Sequence, residues 1–280
     1  MWERFSNRRA AWRQALIGAL GTIAALYALR TVTRNRDWRD DIRLYTKTLD
    51  VSPDSYHIHN NLGTVYWKQG AVEAAERQWH TALKLSPGNA IILNNLGLAH
   101  SKRQEYDAAV QFFQRAIGRK PNYTDPHLNL GVTYKEMKLL EKAELQLRAA
   151  VALSPLNIYA RNQLGKLYLE AGRLAEAEEQ FLRSVESEPN VMGYNGLGDI
   201  YVRRNDSVRA KTAFKGAVSM DPFDAHARFN LGAVYLAEGR SAEALREYEA
   251  GLATDPKNDE ARAVIEKLRS QRPNADSTRH

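Results

Sequence analysis

The sequence predicts an all-α protein, in which stacked helix pairs form an α-solenoid behind one N-terminal transmembrane helix. Two repeating patterns and one apolar run indicate this fold. A Leu-Gly pair recurs six times at intervals of 33 or 34 residues, and a proline follows each glycine by 24 residues. An uncharged run from Ala15 to Leu29 lies between arginines near the N-terminus. Fixed periods of this length are typical of solenoids, and flanked apolar runs are typical of membrane helices.

Composition excludes several classes of site. The 280 residues include no cysteine, which excludes disulfides, cysteine-based metal centres and thiol nucleophiles. The net charge is +7, but eight arginines and three acids in residues 1–40 supply +5 of it. The rest of the chain is nearly neutral, so the basicity predicts no nucleic-acid partner and points to a membrane surface instead.

The first elements are a basic flank over residues 1–14 and a transmembrane or signal-anchor helix over residues 15–33. Fifteen helical residues rise about 22 Å against a hydrocarbon core of about 30 Å. Arg13 and Arg30 can extend to the two interfaces and lengthen the span. A cleaved signal peptide and a buried helix of a soluble protein are the alternatives. Arginines stand on both sides of the run, so their distribution gives no orientation.

The middle of the chain, residues 53–256, consists of six copies of one unit. Counted from seven residues before each glycine, position 11 is aromatic, position 20 is alanine, position 24 is large and position 32 is proline. The glycines are Gly63, Gly97, Gly131, Gly165, Gly198 and Gly232. This pattern of L-G-x-x-Y, A-x-x-x-F and P resembles the tetratricopeptide repeat (TPR) family. The resemblance implies a right-handed α-solenoid of six helix pairs, with helix A before helix B.

The glycine needs a physical reason, because inside a helix it costs about 1 kcal/mol relative to alanine. We expect Gly63 and Ala75 to let helices A and B of the first repeat approach closely. Tyr66 and Trp79 then fill the space around that contact.

The array is predicted to be covered at both ends. Residues 34–52 continue the phase as a solitary helix B, and residues 257–271 form a capping helix. Residues 272–280 are predicted to be a disordered tail. Pro189 precedes Gly198 by nine residues where the other repeats have ten, which predicts a tighter turn entering the fifth repeat.

The TPR resemblance implies that helix A lines a concave binding groove. Positions 2, 6, 9 and 13 share one stripe of that helix. Position 6 is an amide in five repeats and Gly196 in the fifth. The amides are Asn61, Asn95, Asn129, Gln163 and Asn230. An amide both donates and accepts, so this column predicts binding of an extended peptide backbone. It resembles the asparagine ladder of the TPR superhelix in O-linked N-acetylglucosamine transferase; alternatively, the amides satisfy neighbouring helix ends.

Four further residues extend the candidate peptide site. Asn60 and Asn94 add amides at position 5, and Lys68 and Lys102 stand at position 13. The lysines predict affinity for an acidic segment or a C-terminal carboxylate, as in chaperone-binding TPR proteins. A solvated charged face is the alternative.

Catalytic chemistry is not indicated. His57 and His59 lack the i+4 partner of a zinc helix, and His100 replaces the tyrosine of position 11 as a packed core residue. The chain has no phosphate-binding glycine loop or nucleophile elbow. We therefore predict a non-enzyme without cofactor or metal.

The junction before the first repeat suggests a more specific relationship. The segments 34–41 (RNRDWRDD), Leu44-Tyr45, Ser52-Pro53 and 60–63 (NNLG) resemble TPR-bearing membrane glycosyltransferases of the protein O-mannosyltransferase type. That resemblance implies a TPR domain outside the cytoplasm, as a module or partner of such an enzyme whose catalytic domain is absent here. The primary hypothesis is a membrane-anchored scaffold that binds a protein or peptide; a soluble cytoplasmic adaptor is the third.

Overall fold

The structure is a computed structural model that describes residues 41–270, and all its regular elements are α-helices. It divides into two compact units that meet in sequence between Arg119 and Lys120. The first unit contains a single helix followed by two helix pairs, repeats 1 and 2. Its described helices are α1 (Asp41–Val51), α2 (Tyr56–Lys68), α3 (Val72–Leu85), α4 (Ala90–Lys102) and α5 (Tyr106–Arg119).

The second unit contains four helix pairs, repeats 3 to 6, and a final helix. These helices are α6 (Thr124–Glu136), α7 (Leu140–Leu153), α8 (Ile158–Glu170), α9 (Leu174–Ser187), α10 (Val191–Arg203), α11 (Ser207–Met220), α12 (Ala225–Ala237), α13 (Ser241–Thr254) and α14 (Asp259–Ser270). The prediction of an all-α array of helix pairs is confirmed.

The terminal elements are described in part. Helix α1 lies within the predicted capping segment 34–52, and α14 lies within 257–271. The basic flank 1–14, the predicted span 15–33 and the tail 272–280 lie outside the described residues. Within residues 41–270, no helix is both long and apolar enough to cross a membrane.

The glycine shared by the repeats makes room for the large side chain at position 24. A Cβ added to Gly97 would lie 2.5 Å from Cε1 of Phe113, and one added to Gly63 would lie 2.6 Å from Cδ1 of Trp79. Both ring residues are almost completely buried. Trp79 thus fills the space beside Gly63, as the sequence predicts, and Ala75 is completely buried.

The turn between helices A and B has one conformation in all six repeats. Its position 15 has a positive φ between 57° and 78°. The six residues are Gly70, Gln104, Lys138, Gly172, Asn205 and Gly239. The following N–H then bonds to the carbonyl of position 11, as from Arg173 to Tyr168 at 2.8 Å. This is the Schellman ending, which satisfies carbonyls that the helix leaves free.

The turn entering the fifth repeat is shorter than the others. Three residues separate α9 from α10, where four separate helix B from the next helix A elsewhere in the array. Asn190 holds this turn together: its Nδ2 donates to the Glu188 carbonyl at 2.8 Å and to Ser184 Oγ at 3.0 Å. Its Oδ1 accepts the Gly193 N–H at 2.8 Å. The predicted tighter turn is confirmed.

Candidate functional site

Helix A presents a solvent-exposed stripe in every repeat. The side chains at positions 2 and 13 are exposed in all six repeats. At position 2 they are His57, Ile91, Asp125, Tyr159, Met192 and His226, and at position 13 Lys68, Lys102, Glu136, Glu170, Arg203 and Ala237. Position 6, between them on the same face, is exposed at Asn61 and half-buried or buried in the other five repeats. We call this stripe the helix-A face and describe it separately in each compact unit.

In the first unit, amides of repeats 1 and 2 form a connected row. Asn95 Nδ2 donates to Asn60 Oδ1 at 3.0 Å, and Asn60 Nδ2 lies 3.5 Å from Asn61 Oδ1. Asn61 is exposed and Asn95 is half-buried. Asn94 differs from them, because it is only 3% exposed and faces the interior. The row therefore offers Asn61 and Asn95 to a ligand, with Asn60 holding them together.

Two lysines complete the polar surface of the first unit. Lys68 and Lys102 end α2 and α4, and both are exposed. Among the residues that the structure describes, neither lysine has an ion-pair partner. This part of the helix-A face is thus basic, with amide groups beside the charges.

In the second unit, the amide column is interrupted by burial. Gln163 is 7% exposed, and its Oε1 lies 3.5 Å from the ammonium of Lys135, which is 6% exposed. Burial lowers the pKa of Lys135. Asn129 is half-buried. The structure thus places Gln163 against a buried cation, which sequence spacing did not indicate.

The gap at Gly196 has a packing cause. A Cβ on Gly196 would lie 2.4 Å from the ring of Phe181, so no side chain fits there. In the next repeat, Asn230 Nδ2 lies 3.0 Å from His226 Nε2. The hydrogen bond from His226 to Asp199 raises the pKa of His226. The amides of the second unit therefore do not form a continuous ladder.

Position 5 has a structural role in repeats 4 and 5. Asn162 Nδ2 donates to Asn190 Oδ1 at 2.8 Å, and Asn195 donates to Asp224. Asn190 and Asp224 are the residues that cap the next helix A. These two amides therefore bind the N-terminal ends of the next helix A.

Position 4 of helix A carries an interaction that sequence reasoning missed. In four repeats its side chain binds the carbonyl of the proline six residues earlier and a Gln or Glu on helix B. Arg161 Nε donates to the Pro155 carbonyl at 2.7 Å, and its Nη1 donates to Gln180 at 3.2 Å. The corresponding residues elsewhere are His59 with Gln78, His127 with Gln146, and Arg228 with Glu247. The fixed spacing of 19 residues is the signal that could have found it.

Ion pairs between consecutive repeats were also missed. Arg173 Nη1 donates to Glu144 Oε2 at 2.5 Å, and the Tyr168 hydroxyl donates to Glu144 Oε1 at 3.1 Å. The hydrogen bond from Arg173 lowers the pKa of Glu144. Equivalent pairs are Glu76–Arg103, Glu178–Arg204 and, with the signs reversed, Lys211–Glu238. These pairs join position 21 of one helix B to the next repeat.

Comparison with known families decides the relationship of the chain. A model described as tetratricopeptide repeat matches residues 30–80, 61–124, 128–191 and 195–259, which is most of the sequence. The chain belongs to the tetratricopeptide repeat family. The TPR signature read from the sequence is therefore confirmed.

Individual TPR-containing proteins resemble the chain over different lengths. The protein O-mannosyl-transferase Tmtc1 of Drosophila melanogaster is 32% identical over 78 residues, 27% of this chain and 8% of that protein. The chain thus spans less than a tenth of this relative. Among solved structures, the APC/C hetero-tetramer Cut9–Hcn1 superposes with a TM-score of 0.70 at 17% identity, covering 80% of this chain and 45% of the other. Pseudomonas aeruginosa pilF superposes with a TM-score of 0.68 at 17% identity, covering 78% and 97%. These two structures share the TPR fold.

Proposed function

We propose that this TPR chain is a non-enzymatic scaffold, anchored in a membrane by residues 15–33, that binds a protein or an extended peptide on its helix-A face. The observation that carries the proposal is the exposure of positions 2 and 13 in all six repeats. A face that needed to be buried for folding would not keep these positions open. The polar and basic character of repeats 1 and 2 gives this face a defined chemistry.

The first unit favours an acidic, extended ligand. Exposed Asn61 and half-buried Asn95 can each donate to and accept from a peptide backbone, which binds the chain without reading its sequence. Lys68 and Lys102 supply positive charge that no described acid neutralises. A carboxylate of the ligand, from a side chain or a C-terminus, is the group that these ammonium groups would bind.

The second unit presents a different surface on helix A. Tyr159, Met192 and Val202 are 47%, 41% and 47% exposed there. Exposed aromatic and methionine side chains are typical of protein contacts. Since Asn94 and Gln163 are buried, we assign them no direct contact with the ligand.

Charge reversal tests the basic part of the face. The double variant Lys68→Glu/Lys102→Glu is compared with the matched control Lys84→Glu, an exposed helix-B lysine. Full-length chains are applied to an array of decapeptides of graded charge. We expect wild type and the control to prefer acidic peptides and the double variant to lose that preference at least tenfold. An unchanged preference in the double variant would remove the lysines from the site.

Membrane anchoring and orientation have their own test. The arginine-flanked run supports a membrane anchor, and the Tmtc resemblance supports repeats outside the cytoplasm. Asn122-Tyr-Thr is a glycosylation sequon, and Asn122 is exposed. Asn205-Asp-Ser is a second sequon. After translation into microsomes, we expect recovery with the membranes through an alkaline wash and a glycan mass shift that the double variant Asn122→Gln/Asn205→Gln abolishes. An alkaline-soluble chain would instead favour the soluble adaptor.

A second function is favoured by one comparison. The resemblance to protein O-mannosyl-transferase Tmtc1 supports a role as partner to a membrane glycosyltransferase of that type. Co-purification with such an enzyme from detergent-solubilised membranes, lost in the double lysine variant, would favour this function over a general scaffold.

A further inference from the structure

Two histidines and a glutamate converge beside the contact between repeats 1 and 2. Glu76 and His80 lie one turn apart on α3, and His100 lies on α4. His80 Nε2 is 3.5 Å from Glu76 Oε1, and His100 Nε2 is 3.7 Å from the same oxygen. One ligand atom from each of the three residues lies within 4.8 Å of the others. We propose that these three side chains bind a first-row transition-metal dication, represented by Zn²⁺.

The distances fit such an ion closely. With metal–ligand bonds of about 2.0–2.1 Å, tetrahedral ligand atoms stand about 3.4 Å apart. The two measured distances to Glu76 Oε1 exceed this by only a few tenths of an ångström. His80 is exposed, so its ring can adjust to close the third edge. Two imidazoles with one carboxylate select zinc, cobalt, nickel or copper over calcium and magnesium.

The surroundings of His100 orient it as a ligand. Glu105 Oε2 lies 2.6 Å from Nδ1 of His100, and the ring stacks on Phe112 with centroids 5.1 Å apart. When Glu105 accepts a hydrogen bond from the Nδ1–H group of a neutral imidazole, Nε2 carries the lone pair that can bind a metal, and Nε2 is the nitrogen nearer Glu76. A histidine held by a second carboxylate in this way is typical of zinc sites. Glu105 is therefore a positioning residue.

Arg103 is a cationic side chain that binds the same glutamate, Glu76. Its Nη2 lies 3.0 Å from Glu76 Oε1, and its Nη1 binds Oε2. An ionised carboxylate offers about four lone-pair sites, so Glu76 keeps acceptor capacity for a metal. The guanidinium weakens the attraction for a second cation and also fixes the carboxylate in place.

The equivalent positions in repeats 3 and 4 show which side chains surround the corresponding glutamate there. There Glu144 faces Arg148 and Tyr168 in place of the two histidines, with Arg148 Nη1 3.7 Å from Glu144 Oε1. In repeats 3 and 4, the guanidinium of Arg148 thus supplies a positive charge next to Glu144. In repeats 1 and 2, His80 stands at the position of Arg148 and His100 at the position of Tyr168, so two imidazole nitrogens face the glutamate. A bound dication would tie helix B of repeat 1 to helix A of repeat 2.

Calorimetric titration with Zn²⁺ tests the site directly. The full-length chain, purified without a histidine tag and stripped with EDTA, is titrated with ZnCl₂, and Co²⁺ absorption reports the geometry. We expect one saturable site with a tetrahedral Co²⁺ spectrum, and a higher Tm with Zn²⁺. Glu105→Gln should weaken binding about 10–100-fold, as loss of an orienting partner does.

Two further variants test whether the two histidines hold the metal. His80→Arg/His100→Tyr installs the residues of repeats 3 and 4, which keeps a packing that the fold already uses, and should abolish binding. His57→Ala removes an exposed histidine outside the cluster and should leave binding unchanged. The absence of saturable binding at millimolar Zn²⁺, or equal binding by wild type and the double variant, would overturn the proposal.

Discussion

At the scale of single residues, the repeat is defined by where a side chain is absent and where φ is positive. The spacing of the six glycines predicted tight packing, and the structure identifies its partner as the large side chain of position 24. The positive φ at position 15 was not predictable from type, since glycine, glutamine, lysine and asparagine all occur there. What the six repeats share there is a hydrogen bond from the N–H of position 16 to the carbonyl of position 11.

Gly97→Ala should lower the free energy of unfolding by about 1–3 kcal/mol, because the added methyl meets Phe113 at 2.5 Å. Gly118 lies late in α5 with no atom within 4 Å of an added Cβ. Gly118→Ala should therefore be neutral or raise stability by up to about 1 kcal/mol. Urea unfolding followed by circular dichroism measures both variants, and equal effects would contradict the ring contact.

Gln104→Gly and Lys138→Gly should each raise the free energy of unfolding by about 1 kcal/mol. Both residues hold φ near +60°, where a Cβ is unfavourable and glycine is not. Gly172→Ala at the same position of repeat 4 should lower stability by a similar amount. The same urea titrations apply, and a loss of stability in both glycine variants would contradict the role given to position 15.

At the scale of elements, consecutive repeats are joined by polar contacts that no sequence pattern within a single repeat predicts. The ion pairs link residues 26 to 29 apart in sequence, and one of them reverses its signs. The paired arginine stands at position 14 in repeats 2 and 5 and at position 16 in repeat 4. The repeat period predicts the helices because similar residue types recur at each core position of the repeat. It does not predict the ion pairs because no single charged residue type recurs at their positions.

Glu144→Gln should reduce stability at pH 7 by about 1 kcal/mol, since Arg173 loses one of its two carboxylate partners and keeps Glu176. The bond to Arg173 holds the pKa of Glu144 below its ordinary 4.5. A carboxylate with a lowered folded pKa stabilises above its unfolded pKa, and this contribution disappears as the pH falls through the folded pKa.

The difference between wild type and Glu144→Gln should therefore shrink below pH 4.5 and not change between pH 6 and 8. Thermal unfolding across this pH range measures it. Glu141→Gln, an exposed glutamate on the same helix, is the control and should show little effect at any pH. A difference independent of pH would assign the effect to packing and not to the ion pair.

At the scale of the whole molecule, the helix-A face is the surface on which we propose that a partner binds. Sequence spacing located this face, because positions 2 and 13 are fixed by the helical repeat. It did not foresee that Asn94 and Gln163 are buried, since their burial depends on neighbouring helices distant in sequence. The helix-A face therefore contains fewer candidate ligand-binding residues than the amide column suggested, concentrated at Asn61, Asn95, Lys68 and Lys102.

Site-specific photo-cross-linking in intact membranes tests whether a partner binds on the helix-A face. A photoreactive amino acid replaces Lys68 or Lys102 on the helix-A face, or Lys84 on helix B, in the full-length chain. We expect the two helix-A positions to yield the same discrete cross-linked partner after irradiation, and position 84 to yield none. Cross-links to that partner from position 84, with none from positions 68 and 102, would contradict binding at the helix-A face.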